Sequence, residues 1–176
     1  MRKIMYLMGV LDDADIDWIA EHGAVRTIDR GVIIIHEGQP AQHVYILLDG
    51  ALAVKVGDKQ VAALYSGELV GEISFVDSRP PLATVVSAEQ SRVLTIARPQ
   101  LQKKLDSDYK FAANFYRAIA IFLAERLRTT TGRLGYGNAQ QDRPQAEPDE
   151  ITDDLMDSAS LGVVRFDAFL KRLRVY

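Results

Sequence analysis

The sequence predicts an α+β fold, in which an antiparallel β-structure of short strands is preceded by a short helix and followed by a long one. Three observations predict it. Between Ala24 and Ala97, brief runs rich in Val, Ile, Leu and Tyr alternate with glycine turns. On either side of that region, apolar residues recur at helical spacing. The chain has 176 residues, 48% hydrophobic and 26% charged, enough for one sizeable core with some appended helix.

The N-terminal run MRKIMYLMGVL is short and is followed at once by DDAD, with no small-residue cleavage site, so it is read as a strand or turn packed on the core rather than a leader. Asp12 and Asp13 suit a helix start, Ile16, Ile19 and Ala20 share one helical face, and Gly23 suits a C-cap; a helix is expected over 12–22. The strand runs follow: VRTID, VIIIHE, HVYILLD, ALAVKV, QVAALY, LATVVS and SRVLTIA, punctuated by Gly31, Gly38, Gly50, Gly57 and Gly67. Strands this short and this regularly interrupted fit a barrel, a roll or a sandwich. Gly57-Asp58, between two alternating runs, suits a tight hairpin.

Pro99 opens a helix, and Asp108 can cap a longer one reaching Thr131. The longer helix carries two apolar stripes. Phe111, Phe115, Ala118, Phe122 and Arg126 form one; Tyr116, Ala120, Leu123 and Leu127 form the other. One stripe can pack on the β-structure. The second needs a partner, either a twin helix in a homodimer formed through residues 108–130 or the C-terminal segment folded back. Residues 132–149 read as a linker, and residues 150–176 as an acidic segment followed by an amphipathic helix over 163–175. Val163, Phe166, Phe169, Leu170 and Leu173 line one face of that helix. Its basic residues allow docking on a membrane surface, on a partner, or on its own protein. The chain therefore divides into a domain over 1–131 (β-structure about 24–97, helices about 98–131), a linker and a C-terminal helix.

Composition excludes several functions. There is no cysteine, hence no disulfide or thiolate chemistry, and the net charge of −3 argues against nucleic-acid binding by bulk charge. No run approaches the roughly 18 apolar residues that span a bilayer, so the expected location is the cytoplasm. His36, Glu37 and His43 are the candidate ligands for a metalloenzyme of the cupin type, but the close pair of histidines such sites use is missing. Neither a catalytic residue nor a metal or cofactor is expected.

The functional signal lies in VGEISFVDSRPPLATV, residues 70–85. Gly71 allows close backbone approach, and a helical turn over Glu72, Ile73 and Ser74 would present N–H groups to an anion. Glu72 beside such a site suits a sugar hydroxyl. Leu82, Ala83 and Thr84 return the chain; the small Ala83 leaves room for a ligand and the Thr84 hydroxyl can reach a phosphate or a base edge.

Residues 33–54 and 65–85 together resemble the cyclic-nucleotide-binding domain family over roughly residues 10–130. The resemblance implies an antiparallel, jelly-roll-like β-roll and a phosphate-binding cassette whose ligand residues fall on Gly71, Glu72, Ile73, Ser74, Leu82, Ala83 and Thr84. Its candidate ligand is cAMP or cGMP, bound weakly, with the long helix signalling to a protein partner. The arginine that members use to pair with the cyclic phosphate falls on Pro81. Arg79, two residues earlier, either turns inward to replace it or remains a solvated charge on a rigid SRPP turn. Two alternatives follow: a ligand-free dimerisation or interaction protein with a degenerate cassette, and a transcription-regulator-like protein acting without a helix-turn-helix of its own. No such motif is seen after the long helix, so direct DNA binding is not expected.

Overall fold

The computed structural model describes residues 7–135 and 153–174. Residues 7–10 are helical, where a strand or turn was expected. Leu7, Met8 and Leu11 fall on one face of that turn and are buried, and the Leu11 N–H donates to the Leu7 carbonyl at 3.1 Å. Helix α1 then spans Asp13–His22. Eight strands follow: β1 (Ala24–Ile28), β2 (Ile33–Ile35), β3 (His43–Asp49), β4 (Ala51–Val56), β5 (Lys59–Tyr65), β6 (Leu69–Val70), β7 (Thr84–Ser87) and β8 (Ser91–Ala97). Helix α2 (Glu72–Asp77) interrupts them between β6 and β7, and α3 (Arg98–Ser107), α4 (Tyr109–Gly135) and α5 (Asp153–Arg172) complete the chain.

The strands form two four-stranded antiparallel sheets, ordered β1-β8-β3-β6 and β2-β7-β4-β5. Ile35, Leu47, Leu52, Leu64, Val70, Val85 and Val93 pack together as the interior of the roll. Strand β3 is buried on both sides. Its Leu47 joins that interior, while Val44, Ile46 and Leu48 join a second cluster shared with the helices. This two-sided burial explains why HVYILLD reads as a near-continuous apolar run rather than an alternating one. The expected Gly57-Asp58 hairpin joins β4 to β5, with Gly57 at φ 55° and Val56 paired to Lys59.

Gly23 does end α1, but in an extended conformation with φ −86° rather than a left-handed one. The reason for a glycine is steric: a Cβ there would lie 2.7 Å from Cγ of Leu94. At the other end, Asp12 and Asp15 form a reciprocal capping box, with hydrogen bonds of 2.9 and 3.1 Å. The same two carboxylates reach α4. Lys110 Nζ lies 2.6 Å from Asp12, and the Asn114 amide donates to Asp15 at 3.0 Å. Trp18, the single tryptophan, stacks on His22 (centroids 4.6 Å apart) and meets the edge of Phe111 at 5.3 Å.

The hydrogen bond from Lys110 and the N–H of Asp15 hold the Asp12 carboxyl below its ordinary value. Because the folded-state pKa is depressed, the contribution is present above the unfolded value and is lost as pH falls through the lower folded one. We expect Asp12→Ala to lose about 1 kcal/mol at neutral pH. In urea titrations the difference from wild type should shrink once pH drops below the usual carboxylate range; a difference that stays constant to strong acid would contradict the assignment.

Helix α4 buries its first stripe, Phe111, Phe115, Ala118 and Phe122, together with Ile119. It runs to Gly135, past the expected end at Thr131, and the rest of the expected linker (136–149) lies outside the described residues. Helix α5 starts at Asp153, ten residues before its expected start at 163; acidic residues are favourable in a first helical turn. It folds back, and Phe166, Phe169 and Leu170 join the helical cluster with Leu7, Met8, Leu11, Ile16 and Ile19. Even so, Tyr116 and Leu127 of the second α4 stripe remain exposed. Among the described residues no helix is long and apolar enough to cross a membrane.

Candidate functional site

The cassette sits where β6 leaves the sheet. Gly71 adopts φ 87°, and a Cβ there would lie 2.9 Å from the His43 carbonyl oxygen. Both facts require glycine, and together they turn the chain sharply into α2. The first N–H groups of such a helix have no intrahelical acceptor; the Phe75 N–H is the first to close back, onto the Gly71 carbonyl at 3.2 Å.

Beside this turn lies a cavity of about 350 Å³, within the size range of small-ligand sites. Its walls are mostly apolar, with Ile35, Val54, Leu64, Val70 and Val85 drawn from the roll interior. Of the residues singled out from sequence, Gly71, Glu72, Ile73, Ser74, Arg79, Leu82 and Ala83 all line it. Thr84 does not. Strand alternation turns it the other way, where its Oγ1 accepts a 3.1 Å hydrogen bond from the Glu37 N–H. Tyr45 braces the wall by donating to the Ile34 carbonyl at 3.1 Å, and burial pushes its hydroxyl pKa up.

Glu72 is only 1% exposed. Its Oε1 accepts from Arg126 Nη1 at 2.5 Å. The same guanidinium donates to the Leu69 carbonyl at 3.1 Å, lies 3.8 Å from Glu68, and sits over the Phe122 ring at 4.7 Å. The long helix thus reaches into the cavity and neutralises the acid in its wall. Sequence reasoning placed Arg126 on the apolar stripe but gave it no role. Its signal was the charge itself, since an arginine one turn beyond Phe122 on a buried face needs a carboxylate partner.

Arg98 was missed as well. Its Nη2 donates to the Ser74 carbonyl at 2.8 Å and its Nη1 to the Ala41 carbonyl at 3.2 Å, which ties α2 to the segment before β3.

At the cavity mouth, Asp77 Oδ1 accepts from the Arg79 N–H at 3.0 Å across Ser78, whose φ is 58°. Arg79 lines the cavity, is solvent-exposed, and forms no ion pair among the described residues. Pro81 also lines the cavity, and its carbonyl accepts from the Gly38 N–H at 2.8 Å. His36, Glu37 and His43 form no metal-binding cluster; among the described residues no group of three such side chains does.

The comparisons with known proteins agree with this fold. The family profile of the cyclic nucleotide-binding domain matches residues 25–108. A cAMP-dependent protein kinase regulatory subunit from Hypocrea atroviridis is 32% identical over 75 residues, 43% of this chain and 16% of that protein. A cyclic nucleotide-binding domain from Methylobacillus flagellatus KT shares the fold with a TM-score of 0.68 at 17% identity, over 79% of this chain and 84% of that one. The catabolite activator protein of Thermus thermophilus does so with a TM-score of 0.59 at 25% identity, over 74% and 62%. The chain spans between 8% and 34% of the length of the curated relatives it matches. The match to the cyclic nucleotide-binding domain thus spans residues 25–108, just under half of the chain.

Proposed function

We propose that the cavity binds a cyclic nucleotide, cAMP or cGMP, weakly, and that the long helix passes its occupancy to a protein partner. The observation that carries this reading is the convergence on one cavity of the Gly71 turn, the buried Glu72 and Arg79, a cation with no ion pair among the described residues. The turn and Arg79 suit the cyclic phosphate, and Glu72 suits a ribose hydroxyl. The link to the helix is Arg126, which a hydroxyl bound to Glu72 would have to share. Such competition shifts the helix only as far as the ligand discriminates between its positions.

The second reading, a ligand-free interaction protein, draws on Pro81 and on the fact that Arg126 already engages Glu72. Calorimetric titration with cAMP and cGMP separates the two, with 5′-AMP and a Glu72→Gln variant as controls. Micromolar binding of a cyclic nucleotide, weakened in the variant and absent for 5′-AMP, is the expected result. No heat up to millimolar ligand would overturn the binding reading. Homodimerisation through residues 108–130 is part of the proposal. The exposure of Tyr116 (43%) and Leu127 (68%) on one face of α4 supports it, and sedimentation equilibrium tests it.

A further inference from the structure

An acidic helix edge lies away from the cavity. Asp13, Asp17 and Glu21 recur every four residues along α1 and so form one acidic edge. The C-terminal half of helix α5 is seated against it through two arginines. Arg165 Nη2 lies 3.0 Å from Asp13, and its Nη1 donates to the Leu11 and Met8 carbonyls at 2.7 and 3.2 Å. Seven residues on, Arg172 bonds Asp17 and also donates to Glu21 at 3.0 Å. Between the two arginines, Phe166, Phe169 and Leu170 are buried in the cluster that holds Met8, Ile16 and Ile19. The surface therefore reads a helix with apolar side chains at i, i+3 and i+4, bracketed by a cation at each end.

The clasp is largely open to solvent. The Asp13, Asp17, Glu21 and Arg172 side chains are 85, 54, 61 and 42% exposed, so water and salt screen these pairs. The same helix leaves Leu161, Val163 and Val164 46, 46 and 67% exposed, so among the described residues only its C-terminal half is docked. Seventeen residues, 136–152, join α4 to α5.

We propose that this acid-edged face of α1 is a docking site for a basic amphipathic helix of a partner protein, and that α5 is its tethered, displaceable occupant. A partner helix of the pattern Arg-apolar-x-x-apolar-apolar-x-Arg gains access when α5 leaves. The chemistry on both sides is complementary: three carboxylates and an apolar floor against two arginines and three large apolar side chains.

The test uses the full chain, a charge reversal and a swap. Arg172→Glu, at an exposed position, should raise amide exchange over residues 160–172 at least tenfold while leaving β3 and β8 unchanged. A labelled peptide of residues 153–174 should then bind this variant at least tenfold more tightly than wild type, and less tightly as salt rises. Adding Asp17→Lys and Glu21→Lys to Arg172→Glu should restore protection of α5 and abolish binding of the wild-type peptide, which a general packing defect would not do. Unchanged exchange in Arg172→Glu would overturn the proposal, as would a released α5 with no peptide binding. Exchange of α5 between two copies, seen as a wild-type dimer that charge reversal dissociates, would overturn the partner-protein assignment too.

Discussion

Replacing Arg126 by alanine should lower the unfolding free energy by about 3 kcal/mol or more, the range in which removing one partner of a buried pair falls. Glu72 is 1% exposed and accepts from Arg126 at 2.5 Å. Without the guanidinium, the carboxylate stays in an apolar wall with the Arg126 counter-charge gone, and the Leu69 carbonyl loses a donor. The alternative, that Arg126 is a surface residue folded over the cavity mouth, predicts a loss below about 1 kcal/mol. Arg126→Lys should recover only part of the loss, because an ammonium cannot serve Glu72 and the Leu69 carbonyl in the fork geometry of a guanidinium. Glu72→Gln should be milder, since the amide oxygen still accepts from Arg126 and Arg126, 25% exposed, keeps access to water and to Glu68. Urea unfolding followed by circular dichroism reads all three, and a double-mutant cycle should return a coupling between the two positions.

Pro81→Arg should tighten cyclic-nucleotide binding by about ten- to a hundredfold, the yield of one charge-assisted hydrogen bond of roughly 1.5–3 kcal/mol. The substitution is structurally permissible. Pro81 uses only its carbonyl to hold Gly38, and any residue supplies one. Arg79→Ala should act in the opposite direction, weakening binding by a similar factor if Arg79 provides the phosphate cation. In the Pro81→Arg background the Arg79→Ala loss should shrink, because the two cations serve one phosphate. Additive effects, or a Pro81→Arg variant no tighter than wild type by calorimetry, would place the phosphate elsewhere.

The roll was legible because glycine spacing and strand length are local signals. Gly50, Gly57 and Gly67 all take positive φ, and the turns fall where the sequence interrupts its apolar runs. The cassette was legible for the same reason: Gly71 to Ala83 is one continuous stretch, most of whose residues line a single cavity. Thr84 shows the limit. A period of two separates it from Ala83, and its hydroxyl is taken by Glu37, 47 positions away. Arg126 and Arg98 act on the cassette across 54 and 24 positions, and no spacing rule connects them to it. The N-terminal turn and the start of α5 were misplaced because short apolar or acidic runs carry no period of their own. What makes residues 7–10 helical is the cluster they enter, built with side chains from α1, α4 and α5.

The position of Trp18 gives the molecule an internal division of optical labour. The only indole lies in the helical layer, stacked on His22 and edged by Phe111, with the Lys104 ammonium 5.8 Å from its ring. The roll interior contains no tryptophan. Emission therefore reports the helical layer, while far-ultraviolet dichroism near the strand minimum reports the sheets. If the two layers come apart separately, fluorescence and dichroism will trace different melting curves; if they are one cooperative unit, the curves will coincide.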